Sequence, residues 1–226
     1  MQLVIELTFW SGILAGLLSI IGGIYLVHLW YRQSTRLLTD LPLVFAFSFI
    51  LQGVNMFMLS SMNVGILPDT LEVFKMRTFV IGGSVFPFLT IIMHIWLSKY
   101  SKYFKHVIAT LMVYWTIATL VGTSTSMIMV MVLPIMMVVM FGMIGTFAIT
   151  YRTDRLKEVK SGLILIAMAF MAFSQLTKVA LMAMGLAFVA DIATVIGTFL
   201  IVLAVANPWK EKTVKEEDPP VQEIYA

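Results

Sequence analysis

The stretch "SGLILIAMAFMAFSQLTKVALMAMGLAFVADIATVIGTFL", residues 161–200, holds only two charged side chains, Lys178 and Asp191, among apolar and small residues. A membrane-spanning helix needs about 20 predominantly apolar residues to cross about 30 Å of hydrocarbon. This stretch is too long for one such helix, and Gly185 offers a break, so it predicts two spans, 161–184 and 187–206. The same signature recurs upstream at about 8–30, 41–62, 74–98, 104–123 and 127–150. Composition agrees: 60% of the 226 residues are hydrophobic and 12% are charged, against about 25% charged in soluble domains. Mean hydropathy is +0.97. The expected fold is therefore all-α, a polytopic protein of the cell membrane with seven transmembrane helices over residues 1–207. Its first partner is the lipid bilayer.

The first span does not read as a cleavable signal peptide. It lacks a basic leader (Glu6 is its flanking charge), exceeds an ordinary signal core and has no small-residue cleavage site after it. The chain has no cysteine, which excludes disulfides, thiolate metal sites and palmitoyl anchors. A pI of about 9.1 reflects basic residues scattered over several loops, so no nucleic-acid partner is expected.

Charge distribution predicts orientation. Arg32 and Arg36 follow helix 1, and Lys99, Lys102 and Lys105 follow helix 3. Arg152, Arg155, Lys157 and Lys160 follow helix 5, and Lys210, Lys212 and Lys215 follow helix 7. That places twelve of fifteen basic residues on one side, against Lys75 and Arg77 on the other. Short loops rich in Lys and Arg stay cytoplasmic, so the N-terminus is expected outside and the C-terminus inside. Trp30, Tyr31, Trp96, Tyr100, Tyr151 and Trp209 form an aromatic belt at the cytoplasmic side, with Trp10 near the outer one. Residues 208–226 are charged and contain prolines, with too little apolar surface to fold alone. They read as a disordered cytoplasmic tail, or alternatively as a docking segment for a partner.

Weak internal repeats run in register. "WYRQSTRLL" at 30–38 resembles "TYRTDRLK" at 150–157; "FILQGVN" at 49–55 resembles "MAFSQLTK" at 171–178; "TFVIGG" at 78–83 resembles "ATVIGT" at 193–198. Helices 1–3 and 5–7 would then be parallel repeats joined by helix 4. In this 3+1+3 arrangement the chain resembles the broad seven-helix group that contains microbial rhodopsins and the SWEET sugar transporters, whose repeats are related about an axis normal to the membrane. The resemblance implies a bundle of two three-helix units. It does not extend to the members' own motifs. A rhodopsin carries its retinal lysine in helix 7, whereas here the membrane lysine is in helix 6, and helix 3 has no aspartate. The Pro-Gln pair of PQ-loop proteins is also absent from "DLPLVF" and "VLPIMM".

Lys178 lies seven residues before Gly185 and Asp191 six residues after it. In an antiparallel hairpin with about 1.5 Å rise per residue the two are level, roughly 9–10 Å below the outer helix ends. A lone charge in a membrane helix costs about 2.5–3.5 kcal/mol at the centre, and such charges usually pair. A Lys178–Asp191 ion pair is therefore expected, with Glu6 and Glu72 as fallback partners. Such a pair either braces helix 6 against helix 7 or forms a ligand- or ion-responsive site. Gln175 and Lys178 share a helix face at i and i+3, and Gln52 and Asn55 repeat that spacing. With Arg77 at the start of helix 3, Gln52, Asn55 and Gln175 outline a candidate outward-facing polar pocket. Each amide alone could equally serve as interhelical glue.

Other groupings favour packing over chemistry. Met136, Met140 and Met143 share a face of helix 5 and would suit Cu(I), but 18 methionines are spread through the chain and methionine is an adaptable core residue. His28 and His94 lie at comparable depth and would suit a bis-histidine haem, yet read better as interfacial residues. Gly12 and Gly16 form a small-xxx-small pair that permits close helix contact. Pro87 and Pro134 should kink helices 3 and 5. No enzyme signature, metal site or cofactor motif stands out.

The expected function is therefore that of a non-enzymatic integral membrane protein. It binds a ligand or partner within the membrane, as a receptor- or sensor-like protein or as an accessory subunit of a membrane complex. A small-solute or ion transporter of 3+1+3 type is the alternative, and a cofactor-bearing redox subunit a second.

Overall fold

A computed structural model describes residues 2–33, 36–37, 40–153 and 159–207. The loop residues Arg155 and Lys157 and the tail 208–226, with Lys210, Lys212 and Lys215, lie outside the described residues. Seven α-helices follow in order: α1 (Gln2–Tyr31), α2 (Leu41–Asn63), α3 (Leu71–Trp96), α4 (Phe104–Val121), α5 (Thr125–Thr153), α6 (Ser161–Ala183) and α7 (Ala187–Ala206). Among the described residues all seven are long and apolar enough to cross a membrane.

Residue chemistry accounts for the helix ends. Thr70 caps α3, its hydroxyl accepting from the Val73 amide at 3.5 Å. Pro42 sits in the first turn of α2, where its missing N–H costs nothing. The α2 and α6 C-termini close in the same way. At the first, Ile66 N–H reaches Ser61 C=O (2.9 Å) and Gly65 N–H reaches Met62 C=O (3.1 Å). At the second, Leu186 N–H reaches Leu181 C=O (2.7 Å) and Gly185 N–H reaches Met182 C=O (3.0 Å). This double closure is the Schellman motif, and it needs a left-handed residue. Gly65 and Gly185 supply it, with φ of +78° and +73°. Pro87 and Pro134 lie inside α3 and α5, both of which run unbroken through them.

The helices adjoin in chain order, and α1 closes the ring against α7. Helix α4 stands outside, touching α3 and α5, while α3 and α5 also meet directly. Glycine sets the closest approach, between α1 and α2. A Cβ on Gly16 would stand 3.1 Å from the Gly53 carbonyl, one on Gly53 2.7 Å from the Gly16 carbonyl, and one on Gly23 2.8 Å from the Ala46 carbonyl. Backbone meets backbone there, and small residues are what let membrane helices come so near. On α4, Trp115 replaces that economy with bulk: it packs over Gly82 and donates its indole N–H to Thr78 C=O at 3.1 Å. The outside of the bundle is apolar on every helix, as Ile21, Phe47, Phe79, Ile117, Val130, Leu176 and Phe199 illustrate, all of them exposed. In water such a surface would drive association; in lipid it is the solvated face.

Candidate functional site

The turn at Gly185 folds α7 back along α6 and converts distance from the turn into depth. Lys178 and Asp191 accordingly stand level, with Nζ 3.0 Å from Oδ1. The side chains are 15% and 4% exposed, so both charges are removed from solvent and depend on each other. The second carboxylate oxygen is also engaged: the Ser11 hydroxyl of α1 lies 2.7 Å from Oδ2. That hydroxyl also lies 3.0 Å from the Thr8 carbonyl; with one proton to give, its better acceptor is the charged one. The Met56 thioether of α2 lies 3.7 Å from Lys178 Nζ. Gly12 makes room for this meeting. A Cβ there would collide with the Ser60 hydroxyl and come within 3.7 Å of Asp191 Oδ2. One ion pair thus ties four helices together at the Gly185 end of the bundle.

Asn55, beside Met56 on α2, faces the other way. Its side-chain oxygen accepts from Arg77 Nε at 3.2 Å, and Arg77 Nη1 lies 3.8 Å from the Met62 sulfur. A polar layer therefore runs from Arg77 and Asn55 through Met56 to Lys178, Asp191 and Ser11. Lys75, two residues before Arg77, donates to the Leu120 carbonyl at the end of α4 at 2.7 Å.

Gln52 and Gln175 do not belong to this layer. They lie nearer the middle of the bundle, where both line an open cavity of about 200 Å³ between α2, α3, α5, α6 and α7. The four residues of the candidate polar pocket are thus divided between two places: Asn55 and Arg77 bond to each other, and the glutamines face the cavity. Its other walls are largely phenylalanine and methionine, including Phe45, Phe49, Phe88, Met168 and Met171, and no charged residue lines it. Its hydroxyls are occupied. Ser48 donates to the Ser84 carbonyl (3.0 Å), Ser84 to the Ile81 carbonyl (2.7 Å), and Thr194 shares a hydrogen bond with Ser174 (2.8 Å). The two carboxamides have no hydrogen bond among the described residues. Gln175 and Thr194 stand one turn from Lys178 and Asp191, so the cavity and the ion pair share the α6–α7 seam.

Sequence reasoning missed Ser11 and Met56. A hydroxyl beside Gly12, at the start of a glycine-spaced face, was the available signal for Ser11. Nothing local singles out Met56 among so many methionines. Of the helix 5 methionines, Met140 and Met143 line the cavity, while Met136 packs against the hydrophobic core. The histidines are not brought together. His94 Nδ1 lies 2.8 Å from the Thr90 carbonyl and its ring packs on Phe104, while His28 is on α1, which does not adjoin α3. No group of three or more His, Cys, Asp or Glu suited to a metal occurs among the described residues.

Fold and site together define an all-helical bundle whose seven helices can cross a membrane, with a charged brace at one end and an amide-bearing cavity at its centre. Comparison with known protein families, with curated proteins and with solved structures finds no match.

Proposed function

We propose that this is a multi-pass protein of the cell membrane that acts by binding a small molecule in its central cavity, as a receptor- or sensor-like protein or the ligand-binding subunit of a membrane complex. The observation that carries the reading is the pair of unpartnered carboxamides, Gln52 and Gln175, facing one cavity. An amide in hydrocarbon ordinarily finds a partner on a neighbouring helix. Two that do not, on different helices lining one space, suit an occupant that satisfies them. The lining offers amides, hydroxyls and thioethers rather than a nucleophile with a base, so the reading is of binding and not of catalysis.

Native mass spectrometry of the protein released from mild detergent tests this. We expect a bound small molecule on the wild type and none on Ala172→Phe, which puts a ring into the cavity from α6. An identical adduct on both proteins would place the binding elsewhere.

Orientation belongs to the same proposal, with the N-terminus outside and the C-terminus cytoplasmic. Its support is the bias of loop Lys and Arg. A reporter fused after Ala226 is expected in the cytoplasm and one inserted at Gly65 outside; a C-terminal reporter found outside would overturn it.

Transport by a 3+1+3 protein is the second reading. In its favour, Gln52 of α2 and Gln175 of α6, which correspond in the sequence repeat, face the same cavity. The turn glycines Gly65 and Gly185 stand 120 residues apart and close their helices alike, as a duplication of helices 1–3 into 5–7 would require. Uptake into proteoliposomes that Ala172→Phe abolishes would favour transport over sensing.

A further inference from the structure

We infer that the cavity takes a neutral, aromatic molecule of about the size of indole, carrying a hydrogen-bonding group held by Gln52 and Gln175. This rests on the ligand-binding reading above and names the class of ligand. Four properties of the cavity converge on it.

Size comes first. The cavity measures about 200 Å³, whereas an apolar cavity of about 150 Å³ accepts benzene. One ring with a further ring or substituent fits; a nucleotide or a disaccharide does not.

Charge is the second property. No lining residue is charged, and the nearest ions, Lys178 and Asp191, are already paired at 3.0 Å. An ion entering here would shed its hydration with no counter-charge to replace it, which costs several kcal/mol or more (~). The ligand is therefore neutral.

The third is polarity. Ser48, Ser84 and Thr194 have their hydroxyl protons engaged, which leaves the two carboxamides as the free donors of the lining. A hexose carries a hydroxyl on nearly every carbon and would leave most of them unpaired. A pure hydrocarbon would leave both amides unpaired. A molecule with one or two hydrogen-bonding groups can engage each carboxamide at least once while its apolar remainder meets the walls.

Wall chemistry is the fourth. Phe45 meets Phe88 edge to face, with centroids 5.2 Å apart, and lies tilted against Phe49 at 6.0 Å. Methionine sulfur is also attracted to the edges of aromatic rings. Such walls grip a planar ring better than a flexible chain. Because Gln175 is exposed, the α6 wall is the side from which the cavity can be reached, and a neutral aromatic molecule dissolves in the lipid outside it.

The test uses the full-length protein in phosphatidylcholine nanodiscs, titrated with indole, glucose or sodium ions and followed by thermal unfolding, with empty discs as the control for partitioning. Indole is expected to raise the melting temperature saturably, as a ligand of the native state must. Gln52→Leu and Gln175→Leu are each expected to weaken it by about threefold to tenfold, the worth of one hydrogen bond in a membrane interior. Ala172→Phe is expected to abolish the shift; if that variant fails to fold, the two glutamine variants decide. Equal indole response in wild type and glutamine variants would overturn the proposal. Saturable glucose or sodium binding that Ala172→Phe abolishes would overturn the ligand class and leave the cavity as a binding site. A phospholipid recovered from the cavity by mass spectrometry would do the same. No response to any probe, with an unchanged adduct on Ala172→Phe, would remove the binding reading itself.

Discussion

Lys178→Met and Asp191→Asn are each expected to destabilise the purified protein, and the double variant is expected to be more stable than either single one. Each single change leaves a charge that has lost its counter-ion, and breaking a buried pair from one side costs about 3–5 kcal/mol. Asp191 at 4% exposure, with Lys178 3.0 Å away, meets the condition for a cost of that order. Removing both charges leaves an amide and a thioether among apolar neighbours and also removes two desolvation costs, so most of the loss is recovered. Ser11→Ala serves as calibration. It removes one hydrogen bond to Asp191 Oδ2 and should cost about 0.6 kcal/mol and no more than about 1.7, the average and the maximum found for such bonds between membrane helices. Thermal melts in one detergent rank the four variants. A double variant that loses the sum of the two single losses would show that the groups act independently and that the pair is no brace.

Gly53→Leu is expected to give little or no folded protein, and Gly53→Ala to lower stability by about 1–3 kcal/mol, the cost of overpacking a tight core. The obstacle is more than the Ile20 side chain, 2.5 Å from such a Cβ, because backbone stands behind it. A Cβ on Gly53 would stand 2.7 Å from the Gly16 carbonyl, so α1 must move off α2 along its length. That displacement also carries Ser11 away from Asp191. Gly145→Ala is the control: a Cβ there meets nothing within 4 Å, so stability should change by no more than about 0.5 kcal/mol. Both substitutions add the same methyl group to a helical glycine. Equal effects on the yield of monodisperse protein would mean that helix propensity, and not the α1–α2 approach, governs these positions.

Much of the architecture is legible along the chain because membrane helices obey a one-dimensional rule. Backbone polar groups cannot face lipid unpaired, so an apolar run of sufficient length must become a helix. The seven helices accordingly lie where apolar run length and turn residues put them, α6 ending at Ala183 and α7 beginning at Ala187 around Gly185. The pairing of Lys178 with Asp191 was readable for the same reason. A hairpin about one glycine turns sequence separation into depth, and two opposite charges at one depth have every cause to meet.

The rotation of each helix about its own axis is not written in any such rule. Successive residues turn by about 100°, so positions three apart diverge by about 60° while still counting as one face. On α2 that difference sends Gln52 to the cavity and Asn55 to Arg77, which is why four residues grouped by spacing occupy two separate places. The angle at which α2 rests is decided by what it packs against, chiefly the glycines of α1. Ser11 depends on tertiary structure still more, since it reaches Asp191 across 180 residues of sequence only because the ring closes α1 against α7. Helix length, depth and charge are properties of a segment, and the sequence determines them alone; which face looks inward is settled by close packing among segments, and only the assembled bundle decides it.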